Sequence, residues 1–147
     1  LLNDRAAVGG VMDAMMERAP KEIAAALPSQ KGGFTGGSRG PDFSRPVAED
    51  KIDRALRYAK LIVGSRKLAA AASFGAKLAD ATDEATQLLR SYNEDVVKEL
   101  RSAEGERRDI VERQFQLAAE LTALLFSEEE AEFLRRRGRA ASPQAAA

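Results

Sequence analysis

Residues 74–103, FGAKLADATDEATQLLRSYNEDVVKELRSA, carry an apolar or small side chain at nearly every third or fourth position. The positions in this series are Phe74, Leu78, Ala81, Ala85, Leu88, Tyr92, Val96, Leu100 and Ala103. The series begins as a heptad seam and then slips by a stutter, a pattern typical of amphipathic helices that pack on other helices. It predicts an all-α fold of long amphipathic helices, arranged as a helical hairpin or as a coiled coil.

A second apolar stripe follows downstream, and we expect it to form the other half of the same helix interface. Its interface positions are Phe115, Ala118, Leu121 and Leu125. Gly105 stands between the two stripes in a polar stretch. If Gly105 lies in a turn, residues 46–103 and 106–137 form an antiparallel hairpin; the alternative is one continuous helix.

The signals for a short last helix lie between residues 127 and 138. Ser127 and Glu130 have the spacing of a capping box, and the arginines at 135–137 suit the negative end of the helix dipole. Gly138 is a candidate for the residue just past the helix end. We therefore predict a helix over residues 128–137. The tail, residues 139–147, lacks an amphipathic pattern and is expected to be disordered.

Upstream, a helix is expected to begin at Pro46, so that residues 46–138 make up a long-helix domain. Unbroken as far as residue 103, the segment would be a rod of roughly 80 Å. The most favourable place for a kink is Gly64-Ser65. Small side chains at Ala71, Gly75 and Ala79 share one helix face and predict a close approach of a second helix, although alanine is also simply a strong helix former.

Residues 1–27 and 28–45 differ sharply in composition. The first segment has helical spacing of its apolar residues, and Pro20 is expected to end or kink that helix. The second, PSQKGGFTGGSRGPDFSR, is rich in glycine and has no periodicity, which predicts a linker or docking arm anchored by Phe34 and Phe43. It lacks the Lys-Ser/Thr pair of a phosphate-binding loop, so we expect no nucleotide site there.

The composition argues against an enzyme. The chain has no histidine and no cysteine, which removes imidazole bases, thiolate nucleophiles and the usual ligands of zinc and iron. We therefore predict neither catalytic residues nor a cofactor or metal ion. The 23 basic and 23 acidic residues cancel, so no overall field attracts nucleic acid or a charged membrane. The longest uncharged stretch, residues 68–76, is too short to span a membrane.

One run of basic residues is dense enough to suggest an anion site. Its candidate anion-binding residues are Arg54, Arg57, Lys60, Arg66 and Lys67. Steps of three residues wind around a helix, so the run forms no single flat face, and a solvated surface paired with carboxylates is the simpler interpretation. The sharper interpretation is a nucleic-acid-binding accessory protein that uses residues 51–67 and the glycine-rich arm.

The apolar side chains include few bulky ones, since 28 of the 147 residues are alanine. Alanine buries little area, so the core of a single chain is expected to be thin. The leading functional hypothesis is therefore a non-enzymatic helical subunit with protein partners, which self-associates or docks in a filament, scaffold or virus-like particle. In that hypothesis the apolar stripes are buried between chains. No signal in the sequence predicts a cellular compartment.

Overall fold

A computed structural model describes residues 2–30, 40–66 and 75–142, with side chains from Gly10 onward. These parts of the chain contain five α-helices and no β-strand, which confirms the all-α prediction. The helices are α1 (Leu2–Ala25), α2 (Glu49–Ser65), α3 (Gly75–Leu100), α4 (Gly105–Leu125) and α5 (Glu128–Ala141). Among these helices, none is both long enough and apolar enough to cross a membrane.

The first four helices pack as a bundle around one core. Helix α1 lies against α2 and α3, α2 also contacts α4, and α3 and α4 form the pair on which α5 rests. Buried side chains from α1, α2, α3 and α4 belong to a single apolar cluster. In a smaller cluster, Leu134 on α5 packs with Val97 on α3 and Ala119 on α4. The apolar stripes are thus covered within one chain, and this burial requires no second copy.

The predicted rod does not form. Helix α2 begins at Glu49 rather than Pro46 and ends at Ser65, where the kink was expected. Helix α3 begins at Gly75 and packs beside α2, with α1 against both. Two helices that share a core cannot also be the two halves of one straight rod.

Gly105 makes the turn between α3 and α4. Its φ of +61° lies in the left-handed region, which glycine adopts without the steric cost that a β-carbon brings. The chain reverses over residues 101–104, and Arg107 on α4 then contacts Glu99 on α3. The predicted reversal at Gly105 is therefore confirmed, but the arms of the hairpin are Gly75–Leu100 and Gly105–Leu125 rather than residues 46–103 and 106–137.

Pro20 lies inside α1 and does not end it. A proline within a helix removes one backbone hydrogen bond and costs about 3 kcal/mol in isolation. Met16, Ala19 and Ile23 flank it and are at most 1% exposed, so core packing holds both sides of the proline in place. The prediction that the helix ends at Pro20 is therefore wrong, because the same helix face is buried before and after it, whereas a kink at Pro20 stays a prediction.

The glycine-rich connector is fixed at both ends. Ser29 and Pro41 form an isolated antiparallel bridge, with Gln30 N donating to Gly40 O and Asp42 N to Pro28 O, both at 2.8 Å. Phe43 then inserts into the core and meets the Tyr92 ring edge-on at 6.1 Å between centroids. Phe43 thus serves as an anchor within its own chain, whereas Phe34 lies outside the described residues.

Helix α5 starts as predicted but ends later. The Ser127 hydroxyl accepts a hydrogen bond from Glu130 N at 3.1 Å. Gly138, however, lies within the helix and is buried against the ring of Phe115, where a β-carbon would overlap the ring. The helix therefore continues through Arg139 to Ala141, and Arg108 binds the Ser142 hydroxyl. Residues 139–142 are thus ordered, contrary to prediction, and residues 143–147 lie outside the described part.

A buried amide ties three helices together. Gln114 on α4 is 1% exposed, and its Nε2 donates to Ala26 O at 2.8 Å and to the Tyr92 hydroxyl at 3.2 Å. Burial raises the pKa of Tyr92, so the phenol stays neutral well above pH 10. The contact links the end of α1 to the middle of α3.

Replacing Gly138 by alanine should destabilise the protein. The new methyl group would displace the Phe115 ring, at a cost that exceeds the gain in helix propensity, so we expect a net loss of about 1–2 kcal/mol. Chemical denaturation followed by circular dichroism measures the change. Gly10→Ala is the matched control, because the space beside Gly10 on α1 is open. The Gly10→Ala protein should be slightly more stable than the wild type. Equal stability changes in the two variants would contradict the packing role of Gly138.

Replacing Gln114 by leucine should lower the free energy of unfolding by about 1–3 kcal/mol for each buried polar group that loses its hydrogen-bond partner. The Ala26 carbonyl and the Tyr92 hydroxyl are the two groups concerned. Adding Tyr92→Phe to Gln114→Leu removes one of them, so the double variant should recover part of the loss in a denaturation experiment. A double variant that is no more stable than Gln114→Leu would show that the Tyr92 contact carries little of the effect.

Candidate functional site

The predicted interface residues lie mostly inside the chain. Phe74 lies outside the described residues, Leu88 and Phe115 are half-buried, and Leu89 occupies the fully buried position beside Leu88. The remaining predicted interface residues are at most 6% exposed: Leu78, Ala81, Ala85, Tyr92, Val96, Leu100, Ala118, Leu121 and Leu125. The periodicity thus found the core faces of α3 and α4.

Of the predicted close approach along Ala71, Gly75 and Ala79, the described residues Gly75 and Ala79 contact no second helix closely. Gly75 and Ala79 are exposed, and the space beside Gly75 is open. Ala71 lies outside the described residues. Among the described glycines, Gly138 on α5 is the one in close contact with another helix, through Phe115 on α4.

A groove of about 440 Å³ opens where α5 crosses α3 and α4, and we name it the aromatic groove. Positions 130, 133, 134 and 137 of α5 form one wall, because residues three, four and seven apart share a helix face. The opposite wall comes from α3 and from the end of α4. The lining residues are Arg90, Asn93, Glu94, Thr122, Phe126, Glu130, Phe133, Leu134 and Arg137.

Two charged contacts fix the walls of the aromatic groove. The guanidinium of Arg90 stacks over Phe126, 4.5 Å from the ring centroid. Arg137 on α5 donates to both carboxylate oxygens of Glu94 on α3, at 2.7 and 2.8 Å. That hydrogen bonding, aided by the positive charge of Arg137, holds the pKa of Glu94 below its ordinary value. These contacts within the chain hold the two walls of the groove together.

The floor of the groove contains an unsatisfied acceptor. Asn93 is 9% exposed, and its Nδ2 donates to the Thr122 hydroxyl at 3.0 Å, which donates in turn to Ala118 O at 2.7 Å. The Oδ1 atom of Asn93 is buried and has no hydrogen-bond partner among the described residues. Such an atom costs free energy where it stands, which is unusual in a folded protein.

Phe133 is the exposed apolar residue of this site. It is 58% exposed, and among the described side chains only Val11 on α1, at 60%, is a comparably exposed large apolar residue. Our sequence analysis did not single out Phe133, Arg90 or Asn93. A signal for Phe133 was available, because it is a lone aromatic residue in a helix otherwise rich in glutamate and arginine.

A second groove, of about 500 Å³, lies between α1 and α2, and we name it the basic groove. Arg54 and Arg57 line it together with Arg18 from α1, which the sequence analysis missed. The groove also contains Tyr58, and Glu22 stands 3.7 Å from Arg54. Two of the five predicted anion-binding residues are thus brought together with a third arginine.

The other predicted anion-binding residues lie elsewhere. Lys60 is exposed on α2 outside the groove lining, and Lys67 is not among the described residues. Arg66 donates to the carbonyl oxygen of Leu125 at 3.2 Å, where it caps the end of α4. The described residues of the basic run therefore have three different surroundings: Arg54 and Arg57 line the groove, Lys60 is exposed outside it, and Arg66 caps α4.

Known metal chemistry and known relatives give no further guide to the site. In residues 2–30, 40–66 and 75–142, no three acidic side chains are grouped so that they could hold a metal ion. Comparison of the chain with family models, curated proteins and solved structures gives no significant match. The two grooves are therefore interpreted from their own geometry and charge.

Proposed function

We propose that this protein is a non-enzymatic helical subunit that self-associates, and so builds a larger protein assembly, through the outer face of α5 and the aromatic groove. The observation that carries the proposal is the exposure of Phe133 beside a groove in which Phe126 and Leu134 stand among polar and charged side chains. The apolar stripes of α3 and α4 are used within the chain, so the proposed contact replaces the stripe-to-stripe contact expected from the sequence.

Burial of Phe133 supplies a driving force for association. Covering an exposed phenylalanine side chain is worth about 1.5–3 kcal/mol when the whole side chain leaves water. Aromatic and arginine side chains are also the residue types enriched where proteins bind one another. Phe133, Phe126, Arg90 and Arg137 bring both types to one place.

Sedimentation velocity from about 5 µM to about 1 mM tests the proposal. We expect the mean mass of the wild-type protein to rise with concentration and that of Phe133→Ser to stay near the monomer value, since the variant removes the apolar contact. Val11→Ser is the matched control, because it removes an equally exposed apolar side chain from α1. A wild-type protein that stays monomeric over this range would refute self-association.

The basic groove favours a second candidate function, the binding of single-stranded nucleic acid. Arg18, Arg54 and Arg57 bring three guanidinium groups from two helices to one groove, and Glu22 supplies a single carboxylate. Guanidinium groups bind phosphate, and an aromatic ring such as Tyr58 can stack on a base. This surface is separate from α5, so the two functions can be tested independently.

Charge reversal at Arg18 and Arg57 should weaken binding of a fluorescent single-stranded oligonucleotide. Each lost phosphate contact should reduce the slope of the logarithm of the binding constant against the logarithm of salt concentration by about one. Fluorescence-anisotropy titrations at several salt concentrations measure this slope. Lys60→Glu is the matched control, since it changes the charge of α2 outside the groove and should have a smaller effect. Absence of binding by the wild-type protein at low salt would eliminate this candidate function.

A further inference from the structure

Charge is segregated along α5. Its acidic residues precede Phe133 and its basic residues follow it: Glu128, Glu129, Glu130 and Glu132 before, and Arg135, Arg136, Arg137 and Arg139 after. Phe133 thus stands close to the middle of the charged part of the helix. The arrangement suits the helix dipole, but it also gives the exposed face of α5 two ends of opposite sign.

Most of these charges are paired within the chain, and a few are left over. Arg135 contacts Glu128 and Glu132, Arg139 contacts Glu132, and Arg137 contacts Glu94. Three exposed side chains of α5 have no ion pair among the described residues: Glu129, Glu130 and Arg136. The unpaired charges therefore lie on both sides of Phe133, negative toward the start of α5 and positive toward its end.

The spacing of these residues is symmetric about Phe133. Glu130 lies three residues before it and Arg136 three residues after it. A second copy rotated by a two-fold axis at Phe133 runs antiparallel, so Glu130 of each copy faces Arg136 of the other. A parallel pair would place Glu130 against Glu130 and Arg136 against Arg136, which repel. The charges are therefore complementary in the antiparallel orientation alone.

We propose that two copies of this chain form a two-fold symmetric dimer through antiparallel contact of their α5 helices, with Phe133 at the axis. This inference rests on the proposed function and names its partner, a second copy. The two Phe133 rings bury one another at the centre, and the Glu130–Arg136 pairs form on either side. Opposed helix dipoles favour the same orientation.

The size of the contact sets its strength. Helix α5 has 14 residues, which makes it about 21 Å long. A pair of such helices buries less area than a standard stable interface, which is about 1,600 Å². The dimer is therefore expected to be weak and concentration-dependent, with a dissociation constant in the micromolar to submillimolar range.

A charge-exchange experiment tests the pairing. Arg136→Glu leaves acidic side chains at both 130 and 136, and Glu130→Arg leaves basic side chains at both. Each variant alone should therefore dimerise at least about tenfold more weakly than the wild type, because two like-charged pairs face one another across the axis. An equimolar mixture should form heterodimers, since every facing pair in the mixed dimer is of opposite charge.

The same measurement includes the double variant Glu130→Arg/Arg136→Glu, which exchanges the two charges and should dimerise within about threefold of the wild type. Circular dichroism of each variant reports whether α5 remains helical. The mixture is a second control for folding, because heterodimers form only if both single variants are folded. Sedimentation velocity with one variant labelled by a fluorophore distinguishes heterodimers from homodimers.

Each outcome decides between the two proposals. Recovery of association in the mixture, together with association of the double variant within about threefold of the wild type, supports the antiparallel α5 dimer. If the wild type self-associates and both single variants associate equally well, the result overturns this dimer and leaves the proposed function standing. A wild type that is monomeric up to about 1 mM overturns both.

Discussion

The buried amide of Gln114 is the constraint on which the arrangement of the helices depends. One side chain on α4 satisfies a backbone carbonyl at the end of α1 and a phenol on α3, so three helices have a fixed register relative to one another. An apolar core tolerates sliding, because apolar contacts have little directionality, whereas a buried hydrogen bond has one geometry. Phe43 packs on the same phenol ring and brings the connector to this point.

Alanine explains why a chain with few bulky side chains still covers its apolar stripes. Ala55, Ala59, Ala85 and Ala118 are fully buried, and all four lie on helices that contact one another. Small side chains let helix axes approach closely, so little volume remains to be filled. Alanine thus contributes to the core as a small side chain between helices, as well as being a strong helix former.

Local signals in the sequence predicted local features of the fold well. Helical periodicity located the core faces of α3 and α4, and the Ser127–Glu130 spacing located the start of α5. The end of α5 was mispredicted because Gly138 resembles a helix terminator, and its actual role depends on Phe115, 23 residues earlier. The prediction of a helix end at Pro20 was likewise wrong, since burial of the residues around it is a tertiary effect that no local pattern contains.

The candidate surfaces were harder to predict than the core, for the same reason. A stripe of apolar residues shows which face of a helix avoids water, but it does not show which helix covers that face. Arg54 and Arg57 were found by their charge, whereas Arg18 joins them only because α1 packs beside α2. Phe133 stands out only in the folded chain, where its neighbours Ala131 and Leu134 are buried and its own side chain is exposed.

The bridge between Ser29 and Pro41 has a consequence for protein engineering. This bridge holds Gln30 and Gly40 side by side, and the insertion of Phe43 fixes the chain that follows, so the two points at which residues 31–39 join the described chain lie next to each other. An inserted peptide tag whose own two ends lie close together would therefore match these attachment points.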